Sequence, residues 1–71
     1  MPDSVYKIVE LIGTSDKSWE EAAKNAVEQA SKTLKELRIA EVSELDMKLE
    51  NGRVVHYRAK VKVSFKYLEE G

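Results

Sequence analysis

The sequence contains no cysteine and only one histidine, His56. Disulfide bonds and thiolate metal ligands are therefore excluded, and one chain cannot supply the histidine and cysteine ligands of a usual zinc site. The shortage also bears on catalysis, because a lone histidine with no cysteine and no evident serine partner does not make a nucleophilic site. We expect this protein not to be an enzyme.

An excess of charge of one sign and a long hydrophobic run are missing as well. The chain has 12 basic and 13 acidic residues, interleaved, for a net charge of −1. Nucleic-acid-binding proteins carry a clustered basic surface and membrane-spanning helices need about 20 apolar residues, so neither partner is expected. The N-terminus lacks the basic stretch and apolar segment of a secretion signal, which together with the absence of cysteine predicts a cytoplasmic protein.

The chain is short, with 71 residues, and we interpret residues 1–71 as a single domain. A domain of this size buries only about 60% of the surface that its unfolded chain exposes. Small domains usually compensate with disulfides, a metal or an oligomer. Because cysteine is absent, we predict a homo-oligomer.

Hydrophobic periodicity predicts a strand followed by a helix. Val5–Ile12 is rich in β-branched residues, and residues 13–16 have the composition of a turn. Ser18 and Glu21 have the spacing of a helix capping box. The apolar and small residues that follow recur at helical spacing along one face, where Trp19 is expected to pack against the core: Trp19, Ala22, Ala23, Ala26, Val27, Ala30, Leu34 and Leu37.

The rest of the chain predicts two strands, Ile39–Leu49 and Arg53–Leu68, joined by a hairpin at Asn51-Gly52. A three-residue loop that includes Glu50 keeps the apolar side chains of both strands on one face, whereas a two-residue loop alone would reverse them. The predicted register therefore sets Met47 opposite Val55, Leu45 opposite Tyr57, Asp46 opposite His56 and Glu44 opposite Arg58.

The third strand, Arg53–Leu68, far exceeds the usual strand length of about 5–6 residues, and one helix cannot cover its apolar side. A neighbouring copy of the chain is the simplest cover for the remainder, which includes Phe65 and Tyr67. An alternative is a structural or interaction module, in which the exposed strand pairs with a different protein by edge addition.

Several short groups of residues follow one another in a characteristic order along the chain: Val5-Tyr6-Lys7, Glu10 to Ser15, Ser18 to Ala23, Ala40-Glu41-Val42, and Tyr57 followed by Val61, Val63 and Phe65. In order and spacing they resemble the dodecin family from Val5 to about Tyr67. The resemblance implies an α+β protein of β-α-β-β order, with a three-stranded antiparallel sheet wrapped around one helix. It also implies a hollow homododecamer that stores flavin (FMN or riboflavin) and does not catalyse a reaction. Some members bind coenzyme A or calcium.

Two positions depart from the flavin-binding pattern of that family. The stacking tryptophan falls at Ile39, and a glutamine that contacts the flavin ring falls at Arg58. The resemblance is therefore closest to a flavin-deficient branch that includes a calcium-binding dodecin, and flavin binding is expected to be weakened. If a calcium ion is bound, hard-cation chemistry favours oxygen ligands on the second strand: Glu41, Glu44 and Asp46.

Overall fold

The computed structural model describes residues 5–66. Its elements follow the order β1 (Tyr6–Ser15), α1 (Trp19–Ser31), β2 (Leu37–Glu50) and β3 (Arg53–Lys66). β3 lies between the other two strands and is antiparallel to both. The predicted fold class, α+β with a three-stranded antiparallel sheet and one helix, is confirmed.

Ser18 caps α1, since its Oγ accepts a hydrogen bond from the Glu21 backbone N–H at 3.0 Å. The helix ends at Ser31, so the apolar stripe overstates its length. Lys32 is the C-cap of the helix, and Glu36 adopts a positive φ of 61° immediately before Leu37 enters β2. Leu34 and Leu37 therefore do not belong to the helix.

The core is formed where the alanine face of α1 meets the middle of β3. Its buried members are Ala22, Ala26, Ala30, Ala59, Val61 and Val63.

β1 continues through residues 13–15, which the composition had indicated to be a turn. Gly13 makes this continuation compatible with the helix, because a Cβ placed there would lie 2.0 Å from the carbonyl oxygen of Ala22. Ser15, at the end of the strand, is buried and donates a hydrogen bond to Glu21 Oε1 at 2.6 Å. The backbone therefore approaches the helix closely instead of turning away at Gly13.

The hairpin is present, but its predicted register is wrong by two residues. Asn51 and Gly52 have φ values of 52° and 75°, as a two-residue type I′ turn requires, and Glu50 lies opposite Arg53. An irregularity between Lys48 and Leu49 then leaves Val55 without a direct partner and returns the apolar side chains to one face. Beyond it the observed pairs are Lys48 with His56, Met47 with Tyr57, Asp46 with Arg58, Leu45 with Ala59 and Glu44 with Lys60.

We call the face of the sheet that α1 contacts the inner face, and the opposite side the outer face. The helix packs mainly against β1 and β3, so the inner face of β2 is uncovered from Val42 to Leu49, although Leu37 at its start packs against the core. Its apolar side chains are 45–59% exposed: Val42, Leu45, Met47 and Leu49. The radius of gyration is 14.8 Å, whereas a compact domain of this length has about 11 Å. A single copy is therefore extended and leaves apolar surface open.

The end of the hairpin extends beyond β1. The last pair between β1 and β3 joins Ser15 to Tyr57, which also pairs with Met47, so residues 48–56 form a two-stranded ribbon beyond the reach of β1. We call these residues the hairpin arm. Phe65 is half-buried at the other end of β3, whereas Tyr67 and Leu68, which the sequence also assigned to this strand, lie outside the described residues.

Candidate functional site

The outer face carries basic side chains along β3 and acidic side chains along β2. The register sets Glu41 opposite Lys62, Glu44 opposite Lys60, and Asp46 opposite Arg58. The two strands thus present three rows in which an acid meets a base.

Asp46 and Arg58 form the best-defined of these pairs. The Nε of Arg58 donates to Oδ1 of Asp46 at 2.7 Å, and its Nη2 donates to Oδ2 at 2.9 Å. This two-pronged hydrogen bond from Arg58 holds the pKa of Asp46 below its usual value and raises the pKa of Arg58 in turn. The partner predicted for Arg58 was Glu44, which instead lies 3.3 Å from the Nζ of Lys60.

Ile39 lies in a different part of the outer face. Its side chain is 66% exposed, and Ser64 opposite it donates a hydrogen bond to its carbonyl oxygen at 3.4 Å. Ile8, on the other side of Ser64, is similarly exposed. Ile39 lies opposite Ser64, which is six residues along β3 from Arg58. Ile39 and Arg58 are therefore roughly 20 Å apart along the strand. One chain therefore does not bring the two flavin-equivalent positions together.

The three candidate metal ligands also remain dispersed within one chain. They lie along the outer face of β2, each opposite a basic side chain of β3: Glu41, Glu44 and Asp46. Within residues 5–66 no group of three or more histidine and carboxylate side chains is arranged to hold a metal ion. One chain therefore does not bring the three candidate metal ligands together.

A second feature lies on the inner face, where α1 begins. The ring of Trp19 meets the ring of Tyr57 edge-on, with centroids 5.2 Å apart and planes at 70°. The Trp19 Nε1 donates to the carbonyl oxygen of Asp46 at 2.9 Å. Trp19 thus packs against Tyr57 at the edge of the core and is only partly buried. Around the two rings an open cleft of about 500 Å³ is lined by Lys17, Ser18, Trp19, Glu20, Leu45 and Tyr57.

The sequence interpretation missed this cleft. The one feature of the sequence that could have indicated it is that Trp19 and Tyr57 each lie on the apolar face of their predicted element. Their contact with each other and with Asp46 depends on the strand register, which was predicted incorrectly.

The fold and the two faces together define a small α+β protein whose single helix covers its sheet incompletely. Comparison with known proteins assigns it to a family. The family model described as Dodecin matches residues 5–68. The chain belongs to the dodecin family.

The chain is similar to individual dodecins over nearly its whole length. The calcium dodecin of Mycobacterium tuberculosis is 46% identical over 63 residues, which cover 89% of each protein. A crystal structure described as the calcium-chelating antigen calcium dodecin of the same species has a TM-score of 0.82 at 43% identity, covering 96% of this chain and 97% of that one. The dodecin of Streptomyces coelicolor has a TM-score of 0.90 at 34% identity, covering 99% of this chain and all of that one.

The one helix in the described part of the chain is too short and too polar to cross a membrane.

Proposed function

We propose that this protein assembles with copies of itself and holds a small ligand or an ion between subunits, without catalysing a reaction. The main support for self-assembly is the inner face of β2, where four apolar side chains remain about half exposed in the single chain. Soluble monomers rarely leave such a continuous apolar strip open. A second copy is the simplest cover, and the proposed assembly is the dodecamer that the family resemblance implies.

The proposed ligand site lies between subunits because one chain separates its parts. Ile39 and Arg58 occupy distant rows of the outer face, and the acidic side chains of β2 do not converge. Association would bring residues from different copies together. In this proposal the ligand is bound only in the assembled state, and its affinity depends on the protein concentration.

Flavin (FMN or riboflavin) is proposed as a weakly held ligand. Ile39 offers apolar contact but no aromatic face for stacking. Arg58 is engaged by Asp46 through its Nε and Nη2, so only its remaining N–H donors are free to contact a ligand.

Replacing Ile39 with tryptophan is expected to raise the affinity for FMN or riboflavin by about 1–3 kcal/mol, through added burial and aromatic stacking. Quenching of flavin fluorescence during titration measures the change. Ile12→Trp is the matched control, because Ile12 is also an exposed isoleucine of the outer face but lies opposite Lys60. Equal affinity in the wild type and Ile39→Trp, or an equal gain at Ile12, would contradict this placement of the site.

Calcium is the second candidate ligand. It is favoured by the 46% identity to a protein named calcium dodecin and by the three acidic side chains along β2. In this proposal carboxylates from Glu41, Glu44 or Asp46 of more than one copy supply the oxygen ligands that calcium requires. Glu44 and Asp46 are paired with Lys60 and Arg58, and these positive charges compete with calcium for the same carboxylates.

Native mass spectrometry of gently purified protein tests the assembly and the ligand together. A mass near twelve chains supports the proposed assembly, and the sample is then split into portions with added FMN and with added calcium. Adducts that survive gentle activation only in the calcium portion favour the calcium site, and a flavin-sized increment favours flavin storage. A stable monomer at micromolar concentration would overturn the proposal and favour an interaction module with a different partner.

A further inference from the structure

The hairpin arm has little support of its own. Residues 48–56 pair only with each other, beyond the end of β1, and Leu49 and Val54 are 59% and 45% exposed. Isolated two-stranded ribbons are marginally stable in water. A flexible arm would also lose conformational entropy on docking, whereas an arm held in one direction binds more tightly.

The root of the arm is held from two sides at one residue. On the outer face, the carboxylate of Asp46 accepts both hydrogen bonds from Arg58 on β3. At its main chain, the carbonyl oxygen of Asp46 accepts a hydrogen bond from Trp19 at the start of α1, at 2.9 Å. Asp46 therefore links β2 to both the central strand and the helix at the point where the support of β1 ends.

Among its neighbours on β2, Asp46 differs from Glu44. Glu44 is on the same face and pairs with Lys60 at 3.3 Å, but this is a single contact to a flexible ammonium group. The arginine fork fixes the orientation of its carboxylate partner, whereas a lysine does not. The link made by Asp46 is therefore better defined than the one made by Glu44.

We propose that Asp46 is a positioning residue that fixes the direction of the hairpin arm, so that the arm is preorganised to dock on a second copy of this chain. This inference rests on the proposed self-assembly. In this proposal the hairpin arm is the docking element. The contacts of Asp46 with Trp19 and Arg58 fix the direction of the arm.

The test compares Asp46→Asn with Glu10→Gln in calcium-free buffer. Each variant removes one negative charge from the outer face, and Glu10 lies on β1 opposite Lys62. Hydrogen exchange measures opening of amides in residues 48–56, and mass photometry across a dilution series measures dissociation. Asp46→Asn is expected to raise arm exchange and the dissociation concentration by about three- to fivefold, whereas Glu10→Gln leaves both near wild type. Core amides of β3 should keep their protection in both variants, which shows that the fold is intact.

Two further variants keep the test decisive. Trp19→Phe retains a ring beside Tyr57 but removes the donor to Asp46, and it should loosen the arm in the same direction. Asp46→Arg combined with Arg58→Asp reverses the pair and should restore arm protection and assembly.

Equal behaviour of Asp46→Asn and Glu10→Gln, or faster arm exchange with unchanged assembly, would overturn the inference while the proposed function stands. A monomeric wild-type protein would overturn both, and the wild-type mass alone distinguishes that case.

Discussion

Gly13→Ala is expected to cost about 3 kcal/mol of stability or more, corresponding to a fall in Tm of roughly 12–24 °C at fixed protein concentration. The added Cβ would lie 2.0 Å from the carbonyl oxygen of Ala22 and 2.9 Å from the Cβ of Ala26. The obstacle is largely helix backbone, which cannot move aside as a flexible side chain can. The helix must therefore separate from β1 along the alanine face that forms the core. Thermal unfolding followed by circular dichroism measures the change.

Gly52→Ala is the matched control, because it makes the same substitution where no atom lies within 4 Å of the added Cβ. Gly52 has a φ of 75°, so alanine there is strained and should cost about 1 kcal/mol. The comparison separates a steric penalty from a backbone penalty. A loss at Gly13 no larger than that at Gly52 would mean that the helix can retreat from β1 at little cost.

The order and type of the elements could be predicted because each has its own hydrophobic period. The helix start was also accessible, since Ser18 and Glu21 have a specific spacing and Ser18 caps α1 as expected. The error at Gly13 has a physical origin. Glycine before threonine and serine has the composition of a turn, but here glycine serves close packing against Ala22, which only tertiary structure requires.

The register between β2 and β3 could not be predicted from the sequence pattern, for a related reason. Alternation fixes which side chains share a face, and that parity was predicted correctly. A three-residue loop and a two-residue turn followed by a bulge at Val55 give the same parity but differ by two residues in pairing. The choice between them determines which acid meets Arg58, so the partner of Arg58 was predicted as Glu44 and observed as Asp46.

The candidate ligand positions show a different limit. The resemblance identified Ile39 and Arg58 by their positions in the chain, and the structure places them in distant rows of the outer face. Periodicity within one chain carries no information on which residues of two copies meet. Their joint role therefore stays a prediction that depends on assembly, as do the roles of Glu41, Glu44 and Asp46.

The inner face of β2 offers the strongest test of assembly. Leu45 is 52% exposed in the single chain, lies opposite the buried Ala59, and lines the cleft beside Trp19. Gln29→Glu provides a matched control, because it introduces the same charge at an exposed position of α1. Neither position is in the buried core of the chain, so both variants should retain the far-ultraviolet circular dichroism of the wild type.

Leu45→Glu is expected to weaken self-association by more than about 100-fold and to give monomers at micromolar concentration. If a second copy covers Leu45, the new carboxylate must be buried there without a partner, which typically costs about 3–5 kcal/mol. Sedimentation velocity across a concentration series measures the shift, and Gln29→Glu should sediment as the wild type does. An intact oligomer in Leu45→Glu would show that the apolar strip of β2 stays open in the assembly. The surface on which copies meet would then have to lie elsewhere: on the outer face, at an open strand edge or on the exposed side of α1.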